Sequence, residues 1–353
     1  MYLTDMNREE LTALLISLGE PKYRAGQVYD WLLRGVPPRD MTNLPKSLRE
    51  KLNELPFGGV RIYKKFLSRH DGTVKYLFEL EDGNLVEGVL MRYRYGNTLC
   101  ISSQVGCKMG CLFCASTLDG CVRNLRHGEM LGFLAAVEAD EPPARVTDRT
   151  ITNLVLMGSG EPLDNYDNVV QFLWRVTAQD GLGISPRNIS LSTCGIVPMM
   201  YRFMKEAPPV TLSVSLHAPT DTQRSKQMPI NAVYPLWEVI DAARAYAAET
   251  GRRVVFEYAL IAGENDTQAD AKALAVLLQR MLCHVNLIPL NPVAERGLSG
   301  SSREHAQQFL QWLTECHVSA TVRREMGTDI EGACGQLRRR VLDENRTADE
   351  HRA

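Results

Sequence analysis

Three cysteines fall within one short stretch, Cys107-Lys-Met-Gly-Cys111-Leu-Phe-Cys114. Thiolates separated by three and then two residues can wrap one small inorganic cluster. A four-iron cluster held by three cysteines leaves one iron open to a ligand. The competing chemistry is structural zinc, which needs a fourth ligand such as Cys121 or Cys100. Zinc motifs commonly pair two two-ligand knuckles. The sequence has no second knuckle, so the spacing favours iron and sulfur.

Other groups with chemical potential sit where β-rich runs end. Gly158-Ser-Gly160-Glu161-Pro162, Ser192-Thr193, Ser215-Leu216-His217 and Asn291-Pro292 each close one such run. Singly, the glycine pair is an ordinary turn and His217 an ordinary structural histidine. Together, on the rim where barrel sites form, they point to a shared ligand pocket. There the glycines would let backbone approach the ligand, and Glu161 would accept a bond from an ammonium group. Glu87 is a carboxylate among Leu85, Val89 and Met91 on one strand face, an apolar setting that suits a base working near neutral pH. Cys100 and Cys334 read, on residue type alone, as buried structural cysteines.

The elements that must position these groups can be read from periodicity. Asn7 caps a helix with Leu11, Leu14, Leu15 and Leu18 on one face, and further helices fit Tyr23 to Leu33 and Ser47 to Leu55. Val74, Tyr76, Phe78 and Leu80 alternate before an Asp82-Gly83 turn, and a second strand follows. From about residue 96, six β-rich runs alternate with amphipathic helices: 98–103, 151–157, 188–193, 210–216, 253–260 and 284–290. Repeated β-then-α units predict parallel strands buried on both faces. The expected organisation is a helical N-terminal domain (1–56), a β-rich connector (57–95), an α/β domain (96–342) and a disordered tail (343–353).

Composition narrows the class. In 353 residues, 44% hydrophobic and 23% charged, wholesale disorder is excluded. No apolar run of membrane length or secretory pattern is present, so a soluble cytoplasmic chain is expected. Forty basic against forty-two acidic residues point to no partner. Nucleic-acid binding would have to rest on local patches such as Arg61–Arg69 or Arg338–Arg340.

The cysteine spacing, with an aromatic before the last cysteine, resembles the radical S-adenosylmethionine superfamily. That resemblance implies a partial (β/α)6 barrel and an open iron that binds the amino and carboxylate groups of the cofactor. A closer resemblance covers nearly the whole chain. Cys100-Ile-Ser-Ser-Gln-Val-Gly-Cys107, GSGEPLDN (158–165), LSTCGIVP (191–198), SLHAP (215–219), HVNLIPLNP (284–292) and GTDIEGACGQLRRR (327–340) are similar to the RlmN family of RNA adenine methyltransferases. The resemblance implies methylation of adenosine C2 in 23S rRNA and in the tRNA anticodon loop. Cys107, Cys111 and Cys114 would hold a [4Fe-4S] cluster. Gly160, Glu161, Ser192, Ser215, Leu216, His217 and Asn291 would contact S-adenosylmethionine, used twice per turnover. Cys334 would carry the methyl group, Cys100 would be its redox partner through a disulfide, and Glu87 would accept the proton. An electron donor such as flavodoxin and a monomeric state are also expected.

Ser159 and Cys194 depart from the family's common methionine and serine, and the stretch from Glu138 to Asp148 looks irregular. The alternatives are a C8-adenine methyltransferase of the resistance type, sharing every catalytic residue, and a non-catalytic zinc-dependent RNA-binding protein. The Pro289–Pro292 segment and the arginine triplet favour C2.

Overall fold

A computed structural model describes residues 1–143, 149–290 and 297–330. Cys334, Asn291, the arginine triplet and the 343–353 tail lie outside the described residues.

The N-terminal helices are α1 (Arg8–Ser17), α2 (Arg24–Leu33) and α3 (Lys46–Asn53). Asn7 accepts a bond from Glu10 N at 2.9 Å while Glu10 accepts one from Asn7 N at 2.8 Å, so two otherwise orphaned donors are satisfied reciprocally. Leu11 and Leu15 then pack against Val28, Leu32, Leu48 and Leu52, a small core separate from the main one.

Among the described residues that follow, the main element is one ten-stranded sheet. Its first part is an antiparallel meander of β1 (Arg61–Leu67), β2 (Val74–Glu79), β3 (Leu85–Tyr93) and β4 (Gly96–Cys100). Beside β4 come β7 (Asn153–Leu156), β8 (Ile189–Thr193), β9 (Thr211–Ser215), β10 (Val254–Leu260), β11 (Cys283–Pro289) and β12 (Ala320–Val322), all parallel. A separate pair, β5 (Gln104–Gly106) and β6 (Cys121–Asn124), leaves the sheet after β4. The intervening helices are α4 (His127–Asp140), α5 (Tyr166–Thr177), α6 (Val197–Glu206), α7 (Asp221–Gln227), α8 (Leu236–Thr250), α9 (Gln268–Leu278) and α10 (Arg303–Glu315). The six parallel strands of the anticipated partial barrel are present, and β12 adds a seventh.

Several details differ from the sequence reading. The parallel strands are not apolar on both faces. Leu191, Leu212, Val214, Phe256, Tyr258 and Leu287 enter the main core, whereas Ser192, Ser215, Glu257 and Ala259 line a cavity on the other face. The stretch Arg61–Arg69, read as a bare basic patch, is largely strand β1. Arg61 pairs with Glu79, and Lys65 Nζ lies 2.7 Å from Asp140 Oδ1, so half of its positive charge is already matched. Glu138 is not in an irregular loop. It lies in α4, and its carboxylate accepts bonds from Thr150 N and Ile151 N at 3.0 and 2.9 Å, tying that helix to the entry of β7.

Candidate active site

The three clustered cysteines sit on the loop that β5 and β6 close, with Gly106 opposite Cys121. Cys107 N donates to Gly120 O at 2.8 Å, and Leu112 N to Gln227 O at 3.0 Å. Thr117 Oγ1 bridges the carbonyls of Cys111 and Cys114 at 3.1 and 2.9 Å. Cys107 and Cys111 are buried and Cys114 half-buried. Burial pushes the Cys107 thiol up to about 12 and Cys111 well above the ordinary thiol range, and the neighbouring thiols reinforce both shifts. Three thiolates are therefore costly here unless a bound cationic group offsets their charge. Among the described residues, no three His, Cys, Asp or Glu side chains converge on a point fit for a single metal ion. Three cysteine thiols on one loop, spaced by three and two residues, match the donor set of a four-iron cluster.

Gly160, Glu161, Ser192, Ser215 and His217 line one cavity of about 270 Å³ together with Cys107, Cys111 and Cys114. The strand-end residues and the cysteine loop therefore meet across the mouth of the barrel. Glu161 is buried; its Oε1 accepts from Leu163 N at 3.0 Å and its Oε2 from Cys194 N at 2.7 Å. Burial pushes its carboxyl up while those donors pull it down. His217 has a left-handed backbone (φ 55°), and its Nδ1 accepts from Ala259 N at 2.9 Å. Burial, aided by the Arg224 guanidinium, lowers it to about 3, so the ring is neutral with its proton on Nε2. Its ring centroid lies 4.3 Å from that of Phe113 on the cysteine loop. Carboxylates for an ammonium group, hydroxyls, an imidazole donor and the apolar Met157, Ile288 and Leu290 make a lining that fits a zwitterionic nucleoside sulfonium.

Leu216 takes no part through its side chain, which is buried in the main core. The two glycines, Gly158 and Gly160, line the cavity and also serve the packing of the loop. A Cβ at Gly160 would lie 2.7 Å from Gln104 N, and one at Gly158 2.6 Å from Ser102 Oγ. The glycines therefore let the loop after β7 close onto the chain after β4, an approach of protein to protein. At the departures Ser159 and Cys194 the backbone carries part of the contact, and the Cys194 thiol also bonds Glu161 and packs beside Cys111. Ser159 O accepts from Ser103 N and Gln104 N, and Cys194 O accepts from the buried Arg224 at 2.6 Å.

Glu87 and Cys100 lie on neighbouring strands of one face. Cys100 opposes Val89, two residues from Glu87, and packs with Val89, Met91 and Met157. Met157 also lines the cavity, which joins the two regions. The carboxylate is not in an apolar setting: Lys75, 0% exposed and on the same face of β2, places Nζ 3.2 Å from Glu87 Oε2. The sequence reading passed over this lysine, and it also missed Glu257 and Arg323 in the cavity wall. Glu257 is pushed up by burial, against the pull of Arg323 and a 2.9 Å bond from Asn286 Nδ2. A carboxylate inside the apolar run Val254–Leu260 carries the same signal that singled out Glu87.

Comparison with known proteins places this geometry. Residues 101–274 match the radical SAM superfamily, and residues 1–56 match the ribosomal RNA large subunit methyltransferase N-terminal domain. The chain is 49% identical over 342 residues to a protein of Alkaliphilus oremlandii named "Probable dual-specificity RNA methyltransferase RlmN", with 96% of this chain and 98% of that one covered. A protein of the same name from Clostridium tetani is 47% identical over 345 residues, covering 97% of each. The crystal structure of a radical SAM methyltransferase from Sphaerobacter thermophilus superposes with a TM-score of 0.88 at 44% identity, covering 95% of this chain and 98% of that one. With a three-cysteine loop facing a polar barrel mouth and full-length identity near one half, the chain belongs to the RlmN family of radical SAM methyltransferases.

Proposed function

We propose that the chain methylates C2 of an adenosine in 23S rRNA and in the tRNA anticodon loop, using Cys334 as methyl carrier. The observation that carries this reading is the placement of Glu87 and Cys100 on one sheet face that adjoins, through Met157, the cavity facing the three-cysteine loop. Cys107, Cys111 and Cys114 would hold the [4Fe-4S] cluster. Gly160, Glu161, Ser192, Ser215, His217, the Leu216 backbone and Asn291 would hold S-adenosylmethionine. The bound groups supply an electrophilic methyl and, on reductive cleavage, a hydrogen-abstracting radical, with two cofactor molecules consumed per turnover.

The chain's own residues do the rest. Cys334 as a thiolate accepts the methyl group, because sulfur is the competent nucleophile for a sulfonium methyl where an adenine carbon is not. Once its carbon is bonded to C2, Glu87 takes the C2 proton, and the single electron that the addition leaves on the adduct would return to the bound cluster. The Lys75 ammonium, 3.2 Å from Glu87 Oε2, holds the carboxylate in place on that sheet face. The Cys100 thiolate then attacks the Cys334 sulfur, the bond from that sulfur to the transferred carbon breaks, that carbon keeps the electron pair and takes up a proton to become the methyl group, and methyladenine leaves. Cys100 and Cys334 are left as a disulfide, and a thiol reductant returns the two electrons. A flavodoxin-like electron donor, action as a monomer and a cytoplasmic location complete the reading. Among the described residues, no helix is long and apolar enough to cross a membrane. The target adenine must be splayed out to enter the barrel mouth.

Nucleoside mass spectrometry of RNA treated with the reconstituted enzyme should find 2-methyladenosine; 8-methyladenosine would overturn the regiochemistry. Cys100→Ala should stop after carbon–carbon bond formation and accumulate a protein–RNA adduct linked through Cys334, visible on denaturing gels. A folded Cys100→Ala protein that turned over normally would overturn the two-cysteine scheme.

A further inference from the structure

β1 and β12 are the two edges of the ten-stranded sheet, and the chain after β12 crosses from one towards the other. Arg323 N donates to Leu287 O at 2.8 Å and its side chain lines the cavity. Met326 packs on the face that holds Val89, Met91 and Cys100. Residues 327–330 then meet the turn between β1 and β2 in a reciprocal exchange. Asp71 Oδ2, from the turn, accepts from Gly327 N at 2.9 Å. Asp329, from the crossing segment, accepts from Ser68 Oγ through Oδ1 at 2.7 Å and from Arg69 N through Oδ2 at 2.9 Å.

The turn is built to receive it. Ser68 N donates to Thr73 O, Thr73 N donates to Asp71 Oδ1 at 3.0 Å, and Ser68 Oγ accepts from His70 N at 3.1 Å. Each segment thus offers a carboxylate to main-chain donors of the other, and bonds to a charged acceptor are the stronger kind. Burial acts to raise Asp71, yet the bonds from Gly327, Thr73 and Ser68 outweigh it and hold the carboxyl at about 2. The clasp is therefore fully ionised at neutral pH.

We infer that Asp71 and Asp329 are positioning residues for methyl transfer: they pin the crossing segment so that Cys334 is delivered to the face bearing Cys100. The inference rests on the reading of Cys334 as methyl carrier. Cys334 follows Ile330 by four residues, a span that covalent geometry limits to about 14 Å. Releasing the clasp would leave the cysteine loop and the cavity intact while removing the tether on the carrier.

The test uses Asp329→Ala and Asp71→Ala in the full chain, with Asp329→Asn as the conservative variant. Among the described residues the Asp329 side chain bonds only with the turn, so its removal spares the barrel even if Asp71→Ala fails to fold. Two quantities are measured: tryptic cleavage at Arg338–Arg340, followed by the mass of the released C-terminal peptide, and S-methylation of Cys334 in the reconstituted protein. The alanine variants should be cut at least tenfold faster and methylated at least tenfold more slowly, with iron content and melting temperature unchanged; Asp329→Asn should fall between. An unchanged tryptic rate overturns the clasp, and faster cleavage with unchanged methylation overturns its positioning role. Wild-type protein that never gains a methyl on Cys334 overturns the carrier reading instead, and the tryptic rate still decides the clasp.

Discussion

Lys75 and Glu87 are twelve positions apart in sequence and 3.2 Å apart in space, both almost wholly out of water. Removing one partner of such a pair leaves a buried charge uncompensated, whereas removing both leaves only a packing defect. Lys75→Met should therefore lower the stability of the barrel by about 3–5 kcal/mol, while the Lys75→Met/Glu87→Gln double variant recovers more than half of that loss. Urea unfolding of the wild type, both single variants and the double variant gives the coupling directly. Strictly additive losses would mean that the two side chains do not act as a pair. The same reasoning separates Glu87 from Glu161, whose two oxygens are met by main-chain donors of different loops and which thereby ties β7 to β8.

The loops after successive strands form the site by closing on one another, and the glycines mark where that closure is tightest. Gly160 combines φ 105° with a Cβ position 2.6 Å from the Gln104 Cβ. Gly183 also has a positive φ, 63°, but open space around it. Gly160→Ala should cost about 2–3 kcal/mol and weaken S-adenosylmethionine binding at least tenfold, because both the backbone and the loop contact are strained. Gly183→Ala should cost only about 1 kcal/mol, from its backbone conformation alone. Thermal unfolding and equilibrium dialysis against the cofactor distinguish the two. Equal losses at both positions would show that the contact with Gln104 contributes nothing.

The whole molecule joins its helical N-terminal unit to the barrel through the turn at Leu3–Asp5. Asp5 accepts from Arg126 Nη1 at 2.6 Å and from Gly128 N at 3.1 Å, and Arg175 Nη1 donates to Thr4 O at 2.6 Å. These contacts hold the unit against the start of α4 and against α5, close to the β6 arm of the cysteine loop. Asp5→Ala removes a charged acceptor from two donors and should weaken the docking by about 2–3 kcal/mol. Chymotryptic cleavage at Phe57, which lies between the unit and β1, should accelerate at least tenfold with the barrel's melting temperature unchanged. A cleavage rate equal to that of the wild type would place the docking energy elsewhere, in the apolar contacts of α2 with α4.

Sequence alone determined what depends on short separations. The three clustered cysteines lie within one loop, the N-terminal helix starts at a capping pair three residues apart, and short β-rich runs located the strands whose ends carry Gly160, Glu161, Ser192, Ser215 and His217. Spacing and periodicity are local properties, so they survive without a structure. Tertiary structure decided the rest. Strand β1 was hidden because its exposed, charged residues lack an apolar rhythm, and β12 because it has only three residues. That Lys75 answers Glu87 follows from the β2–β3 register, where a shift of one residue would turn the two side chains to opposite faces. Asp71 receives Gly327 only because the chain after β12 returns to the other edge of the sheet. Such pairs join positions up to 261 residues apart, as between Ser68 and Asp329, and the fold alone brings them within bonding distance.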